Sequence, residues 1–212
     1  MKQKTLLKAI MIFISFFFLH ALISPVFGAL VSRIFLSLYL IFFFRNNLFR
    51  SFKKINFKEL LKYLIIFFCT MLFVKVLNSI IFSIFNIVPT NQLNHEQNII
   101  KNPVSAILST CLLAPLYEEI LLRLNFRDSF KSKISFIIIT GCLFGFLHLL
   151  SATNISELIY CIPYAILGMT LSYIYGNSDN ISYSIIIHAL NNLIEVILVL
   201  IGGTIWKDLY VY

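Results

Sequence analysis

Seven apolar runs, each about the length of a bilayer-crossing helix, constrain this chain more than any other feature. They cover residues 6–24, 26–44, 60–88, 104–126, 134–150, 157–175 and 181–201. A spanning helix needs roughly 17–25 predominantly apolar residues, and inside lipid it satisfies its own backbone donors and acceptors. The expected fold is therefore all-α, a polytopic membrane helix bundle of about seven transmembrane helices. Pro25 separates the first two runs. Arg33 is the one charge in the second, and the third contains Lys75 and Asn78. The stretch 89–103, rich in Asn and Gln, reads as a polar external loop in which His95 and Glu96 are solvated. The tail 202–212 is too short and too mixed to cross again.

Charged residues make up only 12% of the chain, about half the share in a soluble domain, and mean hydropathy is +0.91. The net charge of +8 would point to nucleic acid if the basic side chains formed a stripe; they lie between the apolar runs instead. With the N-terminus cytoplasmic, thirteen Lys and Arg fall in internal segments against Lys101 and Lys207 outside, the asymmetry of the positive-inside rule. Residue usage rich in Asn, Lys, Ile and Phe looks like an AT-rich bacterial genome, so the expected location is a bacterial cell membrane. The opening Met1-Lys2-Gln3-Lys4 leads into an apolar run too long for a signal peptide and without a small-x-small cleavage site, so it begins the first span. Cys69, Cys111, Cys142 and Cys161 each sit in a separate run. Their spacing fits neither a zinc ribbon nor a redox motif, and they read as small buried hydrophobes.

Within this apolar sequence the adjacent carboxylates Glu118 and Glu119 stand out, because a charge at bilayer depth is expensive and by default functional. Helical geometry separates them. Glu119 and Arg123 are four apart and share a face, the spacing of an intrahelical ion pair. Glu118 points about 100° away and must find a partner on another helix. Pro115 lacks an N–H and frees the carbonyl of Cys111, loosening the helix just ahead of the pair. Candidate partners lie on two further runs. Phe144 and His148 are four apart, with Gly141 and Gly145 forming a small-xxx-small stripe that admits a close neighbour. His188 and Asn192 are also four apart, followed by Glu195, for which Lys75 or Arg33 is the expected ion-pair partner. Counted at ~1.5 Å per residue, Glu118, His188 and Asn192 share a depth, whereas His148 falls several ångströms nearer the outer face.

A carboxylate and an imidazole around one water can activate it by general-base catalysis. A second imidazole with a side-chain amide can stabilise a developing oxyanion. Together these are a peptide hydrolase's groups without a Ser or Cys nucleophile. The same Glu118, His148 and His188 could instead hold zinc with an open water position, although the spacing is not H-E-x-x-H.

The three patterns Glu118-Glu119…Arg123, Phe144…His148 and His188…Asn192, in series on successive apolar helices, resemble the CPBP intramembrane proteases. That family includes the type II CAAX-prenyl endopeptidases and the bacterial Abi proteins. The likeness covers roughly residues 100–201, a catalytic-type core of four spans; residues 1–99 contribute three variable spans, and 202–212 a short tail. It implies that Glu118 activates water, His148 helps hold it, and His188 with Asn192 stabilises the oxyanion. Glu119, Arg123 and Phe144 would support the site, with no cofactor required and zinc as the alternative. Where the family often continues Phe-Arg-Gly, this chain has Leu122-Arg123-Leu124, which alters packing beside the site. The implied activity is an intramembrane endopeptidase acting on a peptide or membrane-protein substrate, linked in bacterial relatives to bacteriocin maturation, self-immunity or peptide signalling. The expected partners are thus the lipid bilayer and that substrate. Two other readings use the same residues: a non-catalytic scaffold or immunity protein that binds a partner peptide, and a proton-coupled transporter, which the lack of a repeated half disfavours.

Overall fold

The computed structural model describes residues 3–207, with side chains as far as residue 202. Eight helices account for it: α1 (Gln3–Phe27), α2 (Ala29–Lys53), α3 (Phe57–Phe85), α4 (Thr90–Lys101), α5 (residues 103–124), α6 (Lys133–His148), α7 (Cys161–Ser178) and α8 (Ile181–Lys207). Lys2 and residues 208–212 lie outside the described residues, as does the side chain of Lys207, one of the two external charges expected. The described residues contain six helices long and apolar enough to cross a membrane. The run at 134–150 forms only the 16 residues of α6, about 24 Å at 1.5 Å per residue, short of the ~30 Å hydrocarbon core. The bundle is as expected, with one shortened member. That helix ends at His148.

Several boundaries differ from the expectation for local reasons. Pro25 lies inside α1, and the break falls at Gly28, whose φ of 82° favours a residue with no Cβ. The polar stretch 89–103 is not a loop. Most of it is the amphipathic helix α4, in which Ile99 is buried and Gln92 donates to Glu96 at 2.9 Å. Ahead of α7, Ile155–Tyr160 forms a 3₁₀ turn with Asn154 and Glu157 as a capping box. Asn56 caps α3 by accepting the N–H groups of Lys58 and Glu59.

The first three helices pack directly on the remaining core. Phe16 of α1 lies against Tyr117 with ring centroids 5.4 Å apart, and Asn125 donates to the Ala9 carbonyl at 2.9 Å. His20 and Ser32 share a 2.8 Å hydrogen bond that ties α1 to α2. Tyr63 and Phe67 of α3 bury against Leu171, Ile174, Tyr183 and Ile187 of α7 and α8. Lys75 takes Glu195 at 3.8 Å, so Lys75 rather than Arg33 answers that carboxylate. Large apolar side chains such as Phe18, Phe42 and Phe73 are exposed, as a lipid-facing belt requires. Of the four cysteines only Cys111 is buried; Cys69 and Cys142 are exposed and Cys161 is intermediate, so the expectation of four buried thiols holds for one.

The tightest packing joins α6 to α7. A Cβ placed on Gly145 would lie 2.7 Å from the Cys161 carbonyl oxygen and 2.9 Å from the Ala165 nitrogen, and one on Gly168 would lie 2.8 Å from Phe144 Cβ. The expected small-residue stripe therefore operates, and its partner is α7.

Candidate active site

Helix α5 is irregular where it matters. Ile107–Leu113 and Ile120–Leu124 are π-helical turns flanking a short α-helical segment, Ala114–Glu119. Single π turns inside helices recur at functional sites. Proline explains the first. In this register the Ala114 N–H goes to the Ser109 carbonyl, and the next donor along the helix would be Pro115, which has none. The orphaned acceptor is thus Thr110 rather than Cys111, the carbonyl expected from regular α geometry. Asn192 of α8 fills it, donating from Nδ2 at 2.9 Å, while its own Oδ1 accepts from Asn191 at 3.2 Å.

Glu119 and Arg123 pair as their spacing requires, Nη1 to Oε1 at 3.0 Å with both side chains fully buried. The guanidinium is further held by α7. Its Nη2 donates to the Gly168 carbonyl at 3.0 Å and its Nε to Ser172 Oγ at 3.2 Å, and Cζ lies 4.7 Å from the centre of the Phe144 ring. A buried ion pair is tolerated only when such extra bonds satisfy its remaining groups. Thr140 adds a hydroxyl contact to Ser172 at 2.8 Å. Leu124, the departure from the family's usual glycine, is buried in the core shared with α1.

His188 bridges the two carboxylates. Its Nδ1 lies 2.9 Å from Glu119 Oε1 and its Nε2 3.9 Å from Glu118 Oε2. A carboxylate oxygen only accepts, so Nδ1 carries a proton, and in the neutral ring Nε2 presents its lone pair to Glu118. A separation of 3.9 Å is too long for a hydrogen bond. Glu118 Oε2 is buried and has no hydrogen-bond partner. The sequence division, Glu119 for Arg123 and Glu118 for the histidines, is therefore half of the arrangement: Glu119 serves Arg123 and His188 together.

His148 stands one ring away. Its Nδ1 donates to the Phe144 carbonyl at 2.9 Å. Phe144 lies against both imidazoles, with centroids 4.2 Å from His148 and 5.7 Å from His188. Among the described residues no hydrogen bond or ion pair joins His148 to Glu118 or His188. The offset in depth read from the sequence thus persists as one layer of aromatic ring. Nor do three His, Cys, Asp or Glu side chains form a group able to hold a metal ion among the described residues.

The site also uses Thr110, Thr140, Gly168, Ser172 and Tyr164, none of which the motifs mark. One sequence signal points to two of them: Gly168 and Ser172, four apart, put small and polar groups on one face of an apolar helix, the usual mark of an interhelical contact.

Fold and site together define a polytopic α-helical membrane protein in which buried Glu119, Arg123 and His188 cluster beside half-buried Glu118. Residues 100–194, the segment holding that cluster, match the family described as type II CAAX prenyl endopeptidase Rce1-like. An uncharacterized protein of Mycoplasma capricolum subsp. capricolum is 34% identical over 95 residues, 44% of this chain and 27% of that protein's own length. No solved structure matches the chain.

Proposed function

We propose that this protein is an intramembrane endopeptidase that hydrolyses a peptide bond with a glutamate-activated water. The observation that carries the reading is Glu118 Oε2, buried, without a partner, and facing His188 Nε2 across 3.9 Å. A buried acceptor left unsatisfied is costly, and the attacking water supplies its missing partner. Glu118 takes the proton of that water as it attacks the carbonyl carbon and delivers it to the departing amine as the C–N bond breaks. His188, oriented by Glu119, accepts or returns a proton at Nε2, and as imidazolium it donates to the oxyanion. His148, with Nδ1 committed to the Phe144 carbonyl, supplies a second imidazole whose Nε2 accepts from the water, and Asn192 anchors the helix that carries Glu118. The Rce1-like match supports peptide-bond chemistry. A bacterial membrane with the N-terminus inside, and a role in bacteriocin maturation, self-immunity or peptide signalling, complete the reading.

Comparing membrane peptides from cells carrying wild type, Glu118→Gln or His188→Ala tests it. A peptide cleaved by wild type should persist intact in both variants, with the proteins still inserted. Normal cleavage by both refutes the mechanism. Loss on chelation, restored by zinc, would replace the glutamate-water scheme with a metal-assisted one. A scaffold that binds a partner peptide in the same cavity predicts instead that the glutamate variants keep the biological phenotype.

A further inference from the structure

Tyr164 belongs to none of the three motifs, yet it makes the most direct side-chain contact that His148 has on α7. Its ring stacks on the imidazole with centroids 4.8 Å apart and planes 28° from parallel. The close approach of backbone at Gly145 and Ala165 brings it there. Phe144 lies against the same imidazole at 4.2 Å. The Asn91 side chain of α4 lies beside the phenol of Tyr164. Helix α4 is fastened beside that point: Thr90 donates its N–H and its hydroxyl to Glu157 at 2.7 and 2.8 Å. Glu157 also accepts the N–H groups of Thr153 and Asn154 at 3.0 and 3.1 Å. A chain of contacts therefore runs from the polar helix α4 through Asn91 and Tyr164 to the ring of His148.

The hydrogen bond of His148 fixes what that chain controls. The Phe144 carbonyl only accepts, so Nδ1 must donate and the neutral ring carries its lone pair on Nε2. We propose that Tyr164, stacked on the imidazole and beside Asn91, is a positioning residue for His148: it keeps the ring in the plane where Nδ1–H meets the Phe144 carbonyl and Nε2 is free to accept. Seating of α4 thereby decides whether a second imidazole is presented to the site. This rests on the endopeptidase reading only for what Nε2 then does, which is to accept a hydrogen bond from the attacking water.

Ring-¹⁵N-labelled histidine in detergent-solubilised full-length protein tests it without a substrate. The described side chains include all four histidines, His20, His95, His148 and His188, and single His→Gln variants assign them. Wild type should show His148 as one neutral Nδ1–H tautomer. Tyr164→Ala should give tautomer-averaged His148 signals, and Tyr164→Phe and Asn91→Ala should match each other with a smaller displacement. His188, locked to Glu119, should be unmoved in all three and so reports that the fold is intact. A wild-type His148 signal in Tyr164→Ala overturns the proposal. If Tyr164→Ala disturbs His188 as well, the milder pair decides, and an unmoved His148 in both overturns it. Where a cleaved peptide is in hand, Tyr164→Ala should slow its cleavage by about 10-fold or more, as for a displaced reacting group. Absence of any cleavage by wild type would refute the endopeptidase reading and leave the tautomer result standing.

Discussion

Asn192 donates its side-chain amide to the main-chain carbonyl of Thr110 at 2.9 Å, and this one bond repairs the defect that Pro115 makes in the helix carrying Glu118. The π turn, the proline and the asparagine on another helix form one device. The loosened helix is re-tied to α8 four residues from His188, so both sides of the reacting gap are referenced to the same neighbour.

Replacing Asn192 by Ala should therefore loosen α5 locally. The lost bond costs about 1 kcal/mol, the scale of polar contacts between membrane helices, and Asn192→Asp should cost more because an acceptor then faces an acceptor. Cys111, buried beside Thr110, reports the change. In a background lacking the other three cysteines, maleimide labelling of Cys111 should quicken in the order wild type, Ala, Asp. Equal labelling rates in all three would show that the Thr110 carbonyl does not need Asn192.

Arg123 is held at three points while fully buried, so Arg123→Met should be among the most damaging single changes. Removing one member of a buried pair costs about 3–5 kcal/mol because the survivor is left uncompensated. Arg123→Lys should lie between, since an ammonium cannot reproduce the planar fork. The double variant Glu119→Gln/Arg123→Met should be less destabilised than the two single losses summed. Unfolding followed by helical circular dichroism across this cycle measures the coupling, and strict additivity would show that the pair does not act as a unit.

How far the sequence carried this arrangement depended on whether a rule is local. The pairing of Glu119 with Arg123, the small stripe at Gly141 and Gly145, and the face shared by His188 and Asn192 all follow from helical period. The orphan carbonyl is Thr110 rather than the expected Cys111 because a π turn shifts the register by one, and no single-residue propensity announces that shift. The Asn residues of 89–103 favour turns, whereas burial of Ile99 against α5 and α8 outweighs that preference and the stretch forms α4. The importance of Tyr164 and Ser172 comes from which helix packs on α6, a tertiary fact that no local rule carries.

The α6–α7 contact gives a contrast between two glycines. Gly145→Ala should destabilise by about 1–3 kcal/mol, the usual scale of overpacking, because its new methyl meets backbone at 2.7 and 2.9 Å. It should also shift the His148 ring signals. Gly176→Ala, with only Phe136 ring atoms at 3.6 Å, should be neutral or slightly stabilising through helix propensity. Thermal unfolding of the two variants side by side checks the reading; equal effects would mean that the interface is not close-packed at Gly145.

Helix α4 should respond to acid through His95. Burial is the main cause holding its pKa below the ordinary value of 6.5; Arg33 of α2 and His148 of α6 add to the lowering, and Glu96 on the same helix opposes it. A histidine that resists protonation when docked takes a proton more readily once released. Above about pH 6.5 the ring is neutral in both states and docking is unaffected. As pH falls from there towards the lowered pKa, the released state binds more protons, and docked α4 loses stability. Amide hydrogen exchange in α4, corrected for intrinsic rates, should accelerate between pH 7.5 and pH 5 in wild type, while His95→Gln should show no such change. Acid-induced exchange that survives in His95→Gln would place the sensitivity elsewhere, and unchanged wild-type protection would show that His95 is not buried by docking.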